Sequence, residues 1–508
     1  MILCSALETE KEMEGNEMTK VKDQMQVSFR DYLGVTLMCM ADCIAAGLMT
    51  SWFMQYLTDY ADLGTWGAVL GSTLLICMRL FDAVNDPLEG WIMDRAKEGR
   101  YGKYRPFIFL SIILESAGLA ALFFIPSGVA AVPALSAVWV VAAYLIYDVG
   151  SSFYAPNLIY RSLTLDSNKR GKLMIAPRMM SMIMGMVTGS LIAIVNGING
   201  NIGNMHIAFG ITVATGAGIT AVISLIGIAM VQEKYHPKES FEDSRVRIAD
   251  IFRLFQENEA LRVKFGATIF SGFIWTFLFA TQTYYIKWAY CADLTDGTLD
   301  AAKYGTLSLI SSMMMLVPLL LGTAIAVPLM KVLKTPVRTY RFVIVMEAIP
   351  CGILFILQML GLLQSSPVIF LTMVGITATA IGIGYIPNEA LNIEAMDYEV
   401  YKNGKDRSAL CNATAKFLDK AQGAVSAGMI GIVLVAVGYV VDSATGNYVG
   451  QLSNIPGMLN WFIVIMGLIP FILGAISLWI YRKYPITPEI AADMREKLSV
   501  SNSTPVQK

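Results

Sequence analysis

Stretches of about twenty apolar residues recur along the whole chain, near 33–57, 67–93, 106–126, 131–156, 173–195, 205–230, 264–287, 305–333, 338–362, 366–390, 410–440 and 455–482. At about 1.5 Å of rise per residue, such a stretch crosses the roughly 30 Å of hydrocarbon in a bilayer. Inside lipid every backbone polar group must be bonded within the fold, so an apolar run of this length has to be a helix. The pattern predicts an all-α membrane protein with twelve transmembrane helices. Composition agrees: 55% of the 508 residues are hydrophobic and 15% charged, against about 45–50% and 25% in soluble domains.

A net charge of -1 excludes the large basic excess that a nucleic-acid partner would require. The cysteines, Cys4, Cys39, Cys43, Cys77, Cys291, Cys351 and Cys411, lie mostly in apolar runs, and His206 and His236 have no Cys or His cluster beside them. No disulfide framework, zinc site or cofactor is implied, and the cysteines read as small hydrophobes. The first 30 or so residues are polar and acidic with no apolar core, which predicts a cytoplasmic tail rather than a cleavable signal.

Lys and Arg fix the orientation, because short cytoplasmic loops hold their excess. The link after the second span carries Arg95, Lys97, Arg100, Lys103 and Arg105, and the one after the fourth Arg161, Lys169, Arg170 and Lys172. The central link carries Lys234, Lys238, Arg245, Arg247 and Arg253, the eighth-to-ninth Lys334 and Arg338, and the tenth-to-eleventh Lys402, Lys405 and Arg407. The intervening links carry neither residue except the seventh-to-eighth, with Lys303 inside it and Lys287 at its edge. Both termini are predicted cytoplasmic. The organisation expected is a tail over 1–30, a six-helix half over 31–231, a central loop over 232–263, a second six-helix half over 264–484 and a tail over 485–508. Within the central loop "IADIFRLFQ" suits a short amphipathic surface helix. Six spans on either side of a central loop is the organisation of duplicated transporters, which bind solute at the midplane between halves.

Ionisable residues within spans are costly and mark functional sites by default. Here they are Asp42, Arg79, Asp82, Asp86, Glu89, Glu115, Asp148, Arg178, Glu347, Glu389 and Lys420. Residues 79, 82, 86 and 89 fall on one helical arc about 80° wide. Pro87 lacks an N–H and disturbs the bond to the Ala83 carbonyl. Asp82, Asn85 and Asp86 thus form an all-oxygen environment suited to Na⁺, or to a proton shared between two carboxylates. The bland alternative pairs Arg79 with Asp82 as structural wiring, but three acids against one arginine leave negative charge over. Lys420 faces a similar choice, between attracting those acids or a solute hydroxyl and being neutralised by Asp419. Glu347 and Glu389 also fit snorkelling near an interface. The stretch "GWIMDRAKEGRYGKYRP" places Asp94 at a helix end with cations beyond it, a loop able to latch two helices through charge pairs and helix C-terminal carbonyls.

The spacing Gly90, Asp94, Arg95, Lys97, Gly99, Arg100 resembles the signature loop of the major facilitator superfamily. The longer "RLFDAVNDPLEGWIMD…GRYGKYRP", with "YLTDY", "RGKLMIAPRMM" and "EAMDYEVYKNGKDR…KFLDKAQGAVSAG", resembles the glycoside-pentoside-hexuronide:cation symporters of melibiose permease type. The resemblance implies a coupling-cation site at Asp82, Asn85 and Asp86. It implies solute contacts at Asp42, Arg178, Tyr385 and Lys420, and a cytoplasmic gate of Arg170 with Glu394 and Asp397, alongside the Asp94 loop. Where the family carries an acid or amide before the fourth-helix proline, this chain has Tyr154 before Pro156, with Asp148 and Ser151 as substitutes; Ala415 and Lys416 stand where uncharged polar side chains are expected.

The expected protein is a monomeric, multi-pass carrier of a bacterial inner membrane that couples Na⁺ or H⁺ to a sugar, glycoside or sugar acid. A lysolipid carrier and a non-transporting sensor are the alternatives. An enzyme is not expected, because no zinc or nucleophile motif lies in the spans.

Overall fold

The structure is a computed structural model and describes residues 27–97, 99–164, 167–234, 256–403, 408–443 and 445–494. A helix occupies each of the twelve apolar ranges. They are α1 (Phe29–Ser51), α2 (Thr65–Arg95), α3 (Arg105–Leu122), α4 (Pro133–Tyr160), α5 (Ser167–Gly189), α6 (Met205–Met230), α7 (Glu259–Tyr290), α8 (Ala301–Leu333), α9 (Pro336–Met359), α10 (Pro367–Asn403), α11 (Ser408–Ala436) and α12 (Leu452–Tyr481). Among the described residues nine pass as membrane spans on length and composition alone, and a tenth if α5 is joined to its continuation Leu191–Ile202, bent by 44°. That continuation is a correction to the sequence reading, in which "VNGINGNIGN" was a link: the helix runs to Ile202 and stops where Gly203 takes φ 71°, a conformation that glycine adopts without strain. "IADIFRLFQ" falls almost entirely outside the described residues.

Helix starts follow local chemistry. Asn258, Asp300 and Thr335 accept hydrogen bonds from the backbone N–H groups of Leu261, Lys303 and Arg338, three residues on, satisfying donors that a helix leaves open at its first turn. Ser28 and Asp31 cap each other at the start of α1.

The chain forms two compact units. The first takes its described residues from 1–49, 82–188 and 209–242. Its core joins Val35, Met38, Ile108, Ile159, Leu173 and Val231. Asp31 is 3% exposed and receives the Lys234 ammonium at 2.5 Å. Glu233 accepts three backbone N–H bonds, from Lys103, Tyr104 and Arg105, at 3.0, 2.8 and 2.7 Å, so a carboxylate sits on the positive end of α3. Arg105 in turn donates to the carbonyls of Ile228 and Ala229 at the end of α6. The loop "GRYGKYRP" therefore latches two helices, through Arg105 and Glu233.

The second unit gathers α7 to α12 with 50–81, where α1 ends and α2 begins, and with 189–208, the corner between α5 and α6. Two of its links are tight. Ala292 pairs with Leu299 and Val441 with Tyr448, and the two links are joined by Tyr448 N to Gly297 O and by Leu299 N to Asn447 Oδ1, at 2.9 and 2.8 Å.

Lipid-facing helices gain no hydrophobic drive to associate, so small residues that let backbones touch decide where they cross. A Cβ on Gly322 of α8 would sit 2.1 Å from the Thr379 carbonyl, and one on Gly382 of α10 2.1 Å from that of Leu319. In the first unit Gly118 and Gly150 do the same for α3 and α4, against Tyr147 N and Glu115 N at 2.4 Å. Gly322→Val and Gly382→Val are each expected to destabilise by about 1–3 kcal/mol, the usual cost of overpacking. Gly216→Val, where nothing lies within 4 Å of the new Cβ, should fall well below that in detergent-solubilised melting experiments; equal costs at the three positions would refute the crossing argument.

Candidate functional site

Asp42 lies on α1, and its charge acts on Glu115 of α3 and on Tyr147 and Tyr154 of α4. Glu115 is 1% exposed and Asp148 5%. Both carboxyl oxygens of Glu115, and the Tyr154 hydroxyl, have no hydrogen-bond partner among the described residues. The main chain explains why Tyr154 is turned inward: α4 breaks there, with Tyr154 at φ -75°, ψ 96° and Ala155 at φ -122°, ψ 68°, before Pro156 opens the next turn. A residue before proline is pushed out of the helical region. Arg178 follows Pro177 within α5, and the Pro177 carbonyl accepts a bond from Cys39 Sγ of α1 at 3.7 Å. Asn85 of α2 is 9% exposed.

The first unit thus brings the predicted Asp42 into one polar region with Glu115 and Tyr154. Acceptor carboxylates and hydroxyls of this kind suit a polyhydroxylated solute. Arg178 and Asn85 belong to the same unit, whereas Tyr385 and Lys420 belong to the second. The side chains of Asp82, Asp86, Asp94, Arg170 and Lys420 lie outside the described residues, although their backbones are helical. Glu394 and Asp397 follow Tyr385 on α10. Among the described residues no three His, Cys, Asp or Glu side chains converge as metal ligands.

A fully buried ion pair was not anticipated from the sequence. Lys287 Nζ lies 2.8 Å from Asp59 Oδ2 with both side chains 0% exposed. Asp59 sits in a widened turn, Tyr56–Tyr60, that prolongs α1 and closes with a bond from Ala61 N to Tyr56 O. Asp59 Oδ1 accepts from Thr58 Oγ1 at 2.7 Å, and Oδ2 also from Gln55 Nε2 at 3.3 Å. With the Thr58 proton given to Asp59, the Tyr284 hydroxyl donates to Thr58, at 2.8 Å. Gln55 donates to the Tyr304 hydroxyl at 2.9 Å. The ammonium also lies 5.4 and 4.8 Å from the Tyr60 and Trp288 ring centres, within cation–π range. His206 Nδ1, from the α5–α6 corner, is 2.6 Å from the Tyr60 carbonyl. One ion pair therefore ties the end of α1 to α7 and, through its neighbours, to α8 and to 189–208. The signal in the sequence was Lys287 itself, at the edge of the one intervening link that carries a cation, Lys303.

Among the described residues the fold is helical and multi-pass, with polar side chains held inside it. The model of the MFS/sugar transport protein family matches residues 32–488, and the chain belongs to that family and is a multi-pass protein of the plasma membrane. It is similar to the isoprimeverose transporter of Lactiplantibacillus pentosus, 24% identical over 468 residues and covering 91% of this chain and 90% of that one. It is 22% identical to the lactose permease of Lactobacillus helveticus over 477 residues, 89% of this chain and 69% of the relative. A shorter match, 29% identical over 150 residues, spans 29% of this chain and 31% of an uncharacterised symporter of Bacillus subtilis. Among solved structures, a bacterial homologue of the human lysosomal transporter Spinster shares the fold at TM-score 0.58 and 12% identity, over 91% of this chain and all of that one (100%). A peptide transporter shares it at 0.56 and 14%, over 92% and 99%.

Removing one partner of a buried pair strands the other charge, at a cost of about 3–5 kcal/mol. Lys287→Met and Asp59→Asn are each expected to lower the melting temperature sharply, and the double variant Asp59→Asn/Lys287→Met to recover much of the loss. Additive losses in that double-mutant cycle would show that the pair is not coupled.

Proposed function

We propose that the protein is a secondary active transporter carrying a sugar, glycoside or sugar acid in symport with Na⁺ or H⁺ by alternating access. The observation that carries this reading is the near full-length similarity to a protein named for isoprimeverose transport. It is supported by relatives named for lactose and for glucuronide, and by the acceptor-rich region around Asp42, Glu115 and Tyr154.

In this reading Asp82, Asn85 and Asp86 hold the coupling cation, which neutralises α2. Asp42, Arg178, Tyr385 and Lys420 bind the solute, with Tyr154 replacing the family's fourth-helix acid by a hydroxyl that can both donate and accept. Cation and solute each raise the other's affinity by the same factor. The six-helix halves, 31–231 and 264–484, then rock about the loaded site. Asp94, Arg170, Glu394 and Asp397 close the Lys- and Arg-rich face, taken as cytoplasmic. Asp59 and Lys287 close the opposite one, so opening there requires their separation, together with that of Thr58 from Tyr284 and of Gln55 from Tyr304.

The test is uptake into proteoliposomes from a panel of labelled glycosides, sugar acids and lysolipids under imposed Na⁺ or H⁺ gradients. Accumulation of a glycoside or sugar acid that follows one gradient is expected. Uptake indifferent to both would refute symport, and accumulation of the lysolipids alone would refute the sugar assignment. Asp82→Asn and Asp86→Asn should each abolish gradient-driven accumulation, a loss of at least tenfold, while leaving solute exchange or binding measurable; unchanged accumulation would show that the acidic stripe is structural.

A further inference from the structure

Arginines without a carboxylate partner are unusual at the wall of a helical bundle, because each ordered guanidinium needs acceptors that lipid tails cannot supply. Three converge in the second unit. Arg338 and Arg341 of α9 and Arg482, which ends α12, line one cleft of about 300 Å³ together with Phe342, Val345 and Leu478. None of the three is in an ion pair among the described residues. Arg338 and Arg482 are exposed and Arg341 half-buried.

The wall has a direction. Residues 338, 341, 342 and 345 recur at i, i+3, i+4 and i+7, so they form one stripe on α9. Its two charges sit at the helix start, and its apolar members run deeper, to Val345, about 10 Å further along the axis. Leu478 and Arg482 repeat the order from the α12 side, apolar inside and charged at the end. Behind the cleft the helices are fastened by Tyr340 against Tyr481, ring centres 5.6 Å apart, and by Ile344 in the core cluster with Tyr481. These contacts close the cleft floor, while Phe342 and Val345 remain 42% and 36% exposed.

Two further features bear on what fills it. The cleft opens at the N-terminus of a 24-residue helix, α9, whose dipole adds to the arginines in attracting an anion. Trp479 is 56% exposed and packs under Lys483, with the ammonium 4.6 Å from its ring centre; an aromatic ring paired with a cation at a span end marks the headgroup level. The ligand that matches has an anionic head at that level and an apolar tail pointing inward, which is the polarity of a phospholipid and not of a free anion.

We propose that this cleft binds an anionic phospholipid of the leaflet on the Lys- and Arg-rich face. Arg338, Arg341 and Arg482 hold its phosphodiester, and the first part of an acyl chain lies along Phe342, Val345 and Leu478. Guanidinium groups bind phosphate oxygens through paired N–H donors, and a bound lipid clamps α9 to α12 from outside.

The test is native mass spectrometry of the purified full chain, titrated with dioleoyl phosphatidylglycerol in competition with dioleoyl phosphatidylcholine. Wild type is expected to retain one phosphatidylglycerol with at least a tenfold preference. Arg338→Gln/Arg341→Gln/Arg482→Gln should reduce that preference to near unity. Val345→Trp, which fills the groove and keeps every charge, should weaken retention several-fold, and it carries the test alone if the triple variant does not fold. Preference unchanged in the folded variants would overturn the proposal. So would displacement of the lipid by millimolar inorganic phosphate with Val345→Trp still binding normally, because the site would then be a plain anion site.

Discussion

A lysine and an aspartate, both without solvent exposure and 2.8 Å apart, hold the end of α1 against α7. Alone, either charge would be prohibitive in such surroundings; together, with hydrogen bonds from Thr58 and Gln55 to the carboxylate, they form a neutral unit. Their partners spread the constraint. Tyr284 and Tyr304 reach the same cluster from α7 and α8, and His206 reaches it from the corner after α5. A network of this kind is stable only when complete, since leaving one group unsatisfied exposes the full cost of burying the others. In the proposed function that completeness makes it a seal that is strong when closed and gives way as a whole.

The rest of the molecule works by geometry rather than charge. Gly322 with Gly382 and Gly118 with Gly150 bring backbones into contact where lipid supplies no drive for association, fixing which helices cross. Those crossings bury Glu115 and Asp148 inside the first unit, Glu115 within reach of the Asp42 charge, and the break at Tyr154 aims a hydroxyl into the same region. The polar interior is a by-product of tight packing around a few residues that could not have been left in lipid. In the proposed function this interior holds the solute, and the carboxylate pair of α2 holds the cation.

Much of this was legible in the sequence. A helix falls on each apolar run because length and hydrophobicity leave the backbone no other way to bond itself. The loop "GRYGKYRP" was readable as a latch, although the acid that anchors it, Glu233, lies 128 to 130 residues away along the chain and gave no local sign. The same limit hid the central pair: Asp59 and Lys287 are 228 residues apart, and a lone charge near a span end reads as interfacial until its counterion is seen. Lys287 did break the alternation of basic and non-basic links, and that anomaly was the available clue. The continuation of α5 to Ile202 was missed because Asn and Gly are poor helix formers, yet packing within the second unit overrides that preference. For Asp82 and Asp86, pattern and resemblance remain the grounds for their role.

The central claim, that solute and cation are bound by one coupled protein, is tested most directly by equilibrium binding. Calorimetric titration of the purified chain with its preferred glycoside, at saturating coupling cation and in its absence, should show an affinity ratio well above one. Titration with the cation, with and without the glycoside, should return the same ratio. A glycoside affinity independent of Na⁺ and of pH would contradict the account.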